Sequence, residues 1–386
     1  MKCHNKRLAF YVESLNPSRG GIERVTYVLS RELVNRGYEI YAIYTYDLPA
    51  DKNLYSHYKA IYQGDSTRLG DIPRIIKFIN DSHIEIYLNQ IFTCYSSIKL
   101  QQAVKYKTSA IIVDVLHTTP FLLDSLKVFH RHLPIPYFLN QILFSIHKKI
   151  NLKPRYSRGE RCSYELCDAF VMLSSHYFSK FLKNNRIKDT RKLYAIANPC
   201  ESVPYNADVT KEKTFLVVAR LNNQQKRIDR TLCFWKKFHH VGDGWRLIIV
   251  GDGADKEMLE KMAERLELND YSFEGHSDNP IDYYNRSMIF MMTSDVEGFG
   301  MTLIEAMSAG CVPVALNTFS ALPDIVDNKK NGMIVAKDDI AGMIAASNYV
   351  IANFDNMSAL ARESVKRFAV ENVVNKWEEL FNKLSS

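Results

Sequence analysis

The sequence predicts an α/β protein of two domains, each built on a parallel sheet. Three observations carry this prediction. Short β-branched and aromatic runs alternate with segments of helical period almost throughout the 386 residues. The alternation lapses at 199–213, PCESVPYNADVTKEK, where turn formers and charges show no period, and then begins again. The length itself exceeds what one hydrophobic core ordinarily spans.

In the first half the expected strands are 7–12 (RLAFYV), 39–45, 84–90, 110–117, 169–175 and 192–198. Between the first two lies GIERVTYVLSRELVNRG, whose Ile22, Val25, Leu29 and Leu33 fall on one helical face and whose Gly37 is placed to end the helix. Strand, helix, strand in that order is a βαβ unit and implies parallel pairing. In the second half the expected order is strand 214–220, helix 228–240, strand 246–251 and helix 255–268. Strands 271–275 and 288–294 follow, then a helix after Gly300 and strand 311–316. The tail reads as helical over 338–354 and 356–368, followed by an amphipathic segment, 370–384.

Composition is that of a globular protein, 46% hydrophobic and 24% charged. Seven cysteines lie without CxxC pairs or zinc spacing, which suits reduced thiols better than a disulfide framework. No apolar run reaches the roughly 18 residues of a membrane span, and the N-terminal one is too short for a signal peptide. A cytoplasmic protein is expected. The net charge of +7 is matched by one stretch, 127–161, which holds eight Lys and Arg, one acid and many interleaved aromatic and aliphatic residues. Such a stretch can lie on an anionic membrane, face nucleic acid, or be a solvated helix face.

The chemistry concentrates in DVEGFGMTLIEAMSAG, residues 295–310. It begins where a strand ends, and a helix starts after Gly300. Gly298, Phe299 and Gly300 therefore stand at a helix N-terminus, where free N–H groups and the helix dipole favour an anion. Glu297 lies in the loop and Glu305 in the helix; a carboxylate there can accept two hydrogen bonds from a diol such as a ribose. Arg220 ends a strand of the same domain and Lys226 follows a polar loop, two cations suited to a diphosphate. In the other domain Gly20 and Gly21 open the first helix, as a phosphate turn or a plain tight turn. His117 ends a strand, placed to hydrogen-bond a hydroxyl or to be a satisfied structural histidine. VGDGADKE, 250–257, lacks the third glycine of a dinucleotide fingerprint.

Glu297 and Glu305 with Gly-Phe-Gly between, followed by AMSAGCVPVA, resemble the donor-site motif of glycosyltransferase family 4. SRGGIERV, IANPCE and NGMIVAKDD resemble that family's glycine loop, its linker-proximal Asn-Pro and its late Asn-Gly segment. The resemblance covers nearly the whole chain and is densest from 214 to 336. One departure is NTFSALPDIV, with Phe319-Ser320-Ala321 where many members carry glycines.

The resemblance implies a retaining enzyme of the glycosyltransferase-B fold: two facing Rossmann-like domains with a C-terminal helix crossing back to the first. It implies an acceptor-binding domain at 1–200, a nucleotide-sugar domain at 201–368 and the returning helix at 369–386. Glu305 would bind ribose and Glu297 would lie by the donor sugar, with Phe299 and Gly300 offering amides. Arg220 and Lys226 would hold the diphosphate without a metal or other cofactor. His117 would contact a sugar hydroxyl, and Gly20 and Gly21 would approach the diphosphate. The acceptor would be a glycan or an undecaprenyl or other lipid-linked precursor of a bacterial surface polysaccharide such as lipopolysaccharide, reached at the inner membrane face through 127–161, with no nucleic acid involved. A nucleotide-sugar epimerase of the same fold is the alternative, and an NAD-dependent oxidoreductase a weaker one.

Overall fold

The computed structural model describes residues 6–68, 70–91, 95–120, 153–201, 203–238 and 244–386. The chain forms two compact units, 1–199 with 370–386, and 200–369.

The first unit runs β1 (Arg7–Val12), α1 (Gly21–Asn35), β2 (Glu39–Tyr44), β3 (Ala60–Gln63), α2 (Ile72–Asp81), β4 (Ile86–Asn89) and α3 (Tyr95–Lys107). It continues through β5 (Ile111–Leu116), α4 (Lys153–Leu166), β6 (Ala169–Met172), α5 (Phe178–Asn185) and β7 (Leu193–Ala195). Its seven strands lie in the order β3-β2-β1-β4-β5-β6-β7, and every pair is parallel. Leu8 to Val12 are all buried, as a central strand covered on both faces requires. α1 turns Val25, Val28, Leu29 and Leu33 inward and ends at Gly37, whose φ of 90° only glycine adopts cheaply. β3, α2, α3, α4 and α5 are absent from the expected elements.

One buried position in this sheet is polar. Asp114, in β5, is 2% exposed and accepts hydrogen bonds from Asn89 Nδ2 at 2.9 Å, from Gln101 Nε2 at 2.6 Å and from the Ser163 hydroxyl. Burial pushes its carboxyl up to about 6, against the pull of these three donors.

The second unit runs β8 (Glu212–Val218), α6 (Asn223–Lys226), α7 (Ile228–Phe238), β9 (Arg246–Val250), α8 (Lys256–Arg265), β10 (Tyr271–Gly275) and α9 (Ile281–Arg286). It goes on through β11 (Ser287–Met292), α10 (Met301–Ser308), β12 (Val312–Leu316), α11 (Leu322–Ile325), β13 (Met333–Val335), α12 (Ile340–Ala352) and α13 (Phe354–Val365). The six strands are again parallel, in the order β10-β9-β8-β11-β12-β13. In both sheets the order reverses direction beside the unit's first strand, the switch point where open parallel sheets hold ligands at their carboxyl ends. Phe215, Phe234, Trp235, Phe238 and Trp245 pack into one aromatic core under α7.

The last helix, α14 (Val370–Ser385), belongs to the first unit and packs on α1. Val373, Val374, Trp377, Leu380 and Phe381 enter the same core as Leu29 and Leu33. Burying side chains of this size contributes about 1.5–3 kcal/mol each. Arg36 fixes the register: its Nη1 meets Glu378 at 2.6 Å, its Nη2 the Glu371 carbonyl at 3.2 Å and its Nε Glu32 at 3.0 Å. Among the described residues no helix is long and apolar enough to cross a membrane. Of the basic stretch 127–161, only 153–161 lies among the described residues, as the first part of α4.

Candidate active site

The loop Thr293–Gly300 leaves the carboxyl end of β11 and turns into α10. The turn is made at Gly300, which caps the helix with φ 90° and ψ 50°, a left-handed conformation costly to any residue with a Cβ. A Cβ built there would also sit 3.4 Å from Phe319 Cζ. Phe319, in the segment that departs from the family's glycines, is buried beneath this turn. Phe299 is buried as well and meets the Phe368 ring edge-on at 5.4 Å, so only its backbone is left for a ligand. Leu303 and Ile304 both reach back to the Gly300 carbonyl, which leaves the N–H groups of Met301 and Thr302 at the open helix end.

The acids on either side of the turn differ. Glu297 accepts an ion pair from Lys226 Nζ at 2.8 Å, with the two side chains 11% and 23% exposed. The loop between β8 and α7 carries Lys226 at the end of α6, whose first turn is capped by the Asn222 side chain. Glu305 is only 7% exposed; Tyr284, on α9, donates to its Oε2 at 3.0 Å. The helix thus carries a carboxylate close to the protein surface but largely enclosed, where it holds a fixed geometry. Arg220 sits two residues beyond β8, exposed and without a hydrogen bond or ion pair to another described side chain. Lys226, Glu297 and the Gly298–Gly300 turn therefore come together, while no hydrogen bond or ion pair joins the Arg220 side chain to them.

A second layer escapes the sequence reading. Asp295, 4% exposed in its side chain, pairs with Arg227 and Arg230 at 2.9 Å and with Lys337 at 2.9 Å. Its backbone N–H donates to the Gln225 carbonyl at 2.8 Å. Burial would raise its pKa, but hydrogen bonds from Lys337, Arg230 and Arg227 prevail and hold it at about 2. Arg230 also reaches Asp338 at 2.6 Å and the Thr293 carbonyl at 3.0 Å. This network staples the loop bearing Glu297 to the loop bearing Lys226. The signal for it in the sequence is only the spacing of Arg227, Arg230 and Asp295 around the residues already singled out.

The glycines of VGDGADKE have a packing role. A Cβ at Gly251, where φ is 141°, would fall 1.9 Å from the Ala219 carbonyl oxygen, and one at Gly253 would fall 2.5 Å from that of Leu221. They let the loop after β9 run against the loop after β8, which accounts for both without a dinucleotide.

In the first unit, Gly20 caps α1 in an extended conformation, φ −174°, and a Cβ there would meet only the flexible Glu23 carboxylate. Nothing lies within 4 Å of a Cβ at Gly21. His117 follows β5, and its Nε2 contacts Oε1 of Gln90, the residue after β4. Burial lowers His117 to about 4, so the ring is neutral and its Nε2–H is the donor in that contact. Gln90, itself 1% exposed, is the partner that sets this tautomer, and sequence reading did not include it. Among the described residues no three His, Cys, Asp or Glu side chains gather as a metal site.

Residues 204–367, which include this strand-end loop, the Lys226–Glu297 pair and the helix bearing Glu305, match the model described as "Glycosyl transferases group 1". Residues 204–367 are a group 1 glycosyl transferase domain. It is 24% identical to an uncharacterized glycosyltransferase of Haemophilus influenzae over 384 residues, 97% of this chain and 99% of that one. It is 23% identical, over 73% of this chain and 77% of the other, to a Campylobacter jejuni α-1,4-N-acetyl-D-galactosaminyltransferase. That enzyme's full name gives a diNAcBac-PP-undecaprenol glycan as its acceptor. Among solved structures it superposes on Anabaena Alr3699/HepE in complex with UDP at a TM-score of 0.76 and 14% identity, covering 98% of this chain and all of the other. The fold is therefore glycosyltransferase-B, and the enzyme is a glycosyltransferase.

Proposed function

We propose that this enzyme transfers a sugar, with retention, from a nucleotide-diphosphate sugar to a glycan or lipid-linked acceptor in bacterial surface polysaccharide synthesis. The observation that carries the reading is the pairing of Lys226 with Glu297 beside the Gly300 turn, with Glu305 enclosed on the helix that the turn begins. Unit 200–369 is then the donor domain and the rest the acceptor domain. Glu305 takes the ribose hydroxyls and Glu297 lies by the donor sugar. Lys226, Arg220 and the open N–H groups of α10 stabilise the charge that grows on the departing diphosphate. Exposed, and unpaired among the described residues, Arg220 can swing onto a phosphate, whereas Lys226 must share its charge with Glu297. As the sugar–phosphate bond breaks and the new glycosidic bond forms on the same face, the acceptor hydroxyl passes its proton to the leaving phosphate oxygen. His117, neutral and oriented by Gln90, contacts a sugar hydroxyl, and Gly20 and Gly21 approach the diphosphate.

The acceptor class is supported by the Campylobacter jejuni relative, whose named acceptor is carried on undecaprenol. Residues 127–161, most of them outside the described residues, are proposed to lie on the anionic inner membrane face. Co-sedimentation with anionic liposomes is then expected to weaken when Lys148, Lys149 and Lys153 become Glu.

The test is a panel of UDP-, GDP- and ADP-sugars with bacterial membranes as acceptor and mass spectrometry of the products, on wild type and Glu305→Ala. One donor is expected to be consumed by wild type only. Full activity in Glu305→Ala would sink the assignment. A new nucleotide sugar formed without acceptor would replace transfer by epimerisation.

A further inference from the structure

We propose that the concavity at the carboxyl ends of β1, β2 and β3 binds an uncharged saccharide unit of the acceptor, held by Tyr46, Gln63 and Asp65. The proposal rests on the glycosyltransferase reading and names the substrate chemistry of its acceptor domain. The cavity measures about 530 Å³ and is lined chiefly by Arg19, Tyr46, Asp47, Gln63, Asp65 and Arg68. That volume falls within the roughly 300–1,000 Å³ of small-molecule sites. Arg19 directly precedes Gly20, so the cavity and the glycine turn at the start of α1 share one loop.

The wall is held by backbone bonds. The Asp65 carboxylate accepts the Thr67 N–H at 2.7 Å, Asp65 N–H donates to Asp71 at 3.2 Å, and Ser66 N–H donates to the buried Tyr11 hydroxyl at 3.1 Å. Gly64 lets this turn press onto α2, since a Cβ there would come within 2.7 Å of Ile75 Cγ1. Gln63 donates one amide hydrogen to the Tyr46 carbonyl at 3.2 Å, which keeps its exposed head beside the Tyr46 ring.

The chemistry of the lining selects the ligand. Three carboxylates, Asp47, Asp65 and Asp71, face two guanidinium groups. Arg19 is tied to Asp47 at 2.5 Å, and Arg68 lies 3.7 Å from Asp65. The excess is negative, so a phosphate or uronate is repelled. There is no continuous apolar wall for a lipid chain. Hydroxyl groups both donate and accept, which suits alternating carboxylate, guanidinium and amide groups. Tyr46, 55% exposed, has the Arg19 guanidinium 5.1 Å from its ring centroid and adds a ring on which the C–H face of a pyranose can rest beside that cation.

The experiment is saturation-transfer NMR on the full chain. The probes are methyl α- and β-glucosides, methyl α- and β-galactosides and methyl N-acetylglucosaminide, with glucose 6-phosphate for comparison; UDP, GDP and ADP are titrated separately. At least one uncharged glycoside is expected to bind, about tenfold more weakly to Tyr46→Ala and to Asp65→Asn at unchanged melting temperature, and equally well to Glu305→Ala. Glucose 6-phosphate is expected to bind more weakly than the glucosides. Glycoside binding that is absent, indifferent to Tyr46→Ala, lost in Glu305→Ala or weaker than that of glucose 6-phosphate would overturn the proposal. If a nucleotide binds while no glycoside does, the subsite fails and the donor reading stands. If a glycoside binds while no nucleotide does, the subsite stands and the donor reading fails.

Discussion

At the scale of single residues, the donor loop depends on a carboxylate that touches no substrate in the proposed mechanism. Asp295 gathers Arg227, Arg230 and Lys337, and Arg230 is 5% exposed. Removing one partner of so buried an ion pair costs about 3–5 kcal/mol, because the remaining charge has no water to return to. Asp295→Asn is therefore expected to lower the melting temperature at pH 7. Because the folded-state pKa is depressed to about 2, from about 3.9 in an unfolded chain, the stabilisation is complete above pH 4 and disappears as pH falls towards 2. Thermal unfolding of wild type and variant at pH 7, 4 and 2.5 checks this, with the gap expected to narrow at each step and to be smallest at the lowest value. Glu297, Gly300 and Glu305 were legible in the sequence because a strand, a turn and a helix that follow one another over residues 287–308 set their geometry. The Asp295 network was not legible, since its partners come from loops on three strands and nothing local says which basic residues converge. The Lys226–Glu297 pair lies between: both residues stand out, but their contact is a property of the folded sheet.

At the scale of elements, α10 begins where only a glycine is comfortable. Gly300→Ala is expected to cost about 1–2 kcal/mol from the left-handed backbone alone. It is also expected to lower kcat more than it raises the donor KM if, as proposed, the amides at this turn stabilise the departing phosphate. Thermal melts and steady-state kinetics on the same preparation separate the two effects. The strands that sequence reading captured are those with buried apolar runs, such as β1, β8 and β11. β3 lacks such a run, since none of its four residues is buried. In α3 the Ser, Lys and Gln residues dilute the apolar stripe. α2 is a different case: Ile75, Ile76 and Ile79 behind Pro73 form a readable stripe that the alternation of strands obscured.

At the scale of the whole molecule, the first unit carries titrating groups that oppose one another. Burial lowers both His57 and His117 to about 4, so between pH 6.5 and 4 the unfolded chain takes up protons that the folded one refuses, and stability falls with pH. Asp114, raised to about 6, has the opposite sign between pH 6 and 3.9, where the folded state holds the extra proton. Two histidines against one carboxyl predict a net loss on acidification, and Asp114→Asn is expected to steepen it, as melting temperatures at pH 7 and 5 would show. The second unit is contiguous, and residues 200–369 are expected to fold alone with dispersed NMR resonances. Residues 1–199, lacking α14, are expected to melt early or precipitate. This division follows from the path of the chain, which leaves the first unit after residue 199 and returns at 370. A protein made from its N-terminus onward therefore builds most of one sheet long before the helix that covers it exists. Until Trp377 and Phe381 emerge from the ribosome, the groove beside α1 that they fill is open to other nascent chains. The interior unit can finish first, so the unit that synthesis begins is the one completed last.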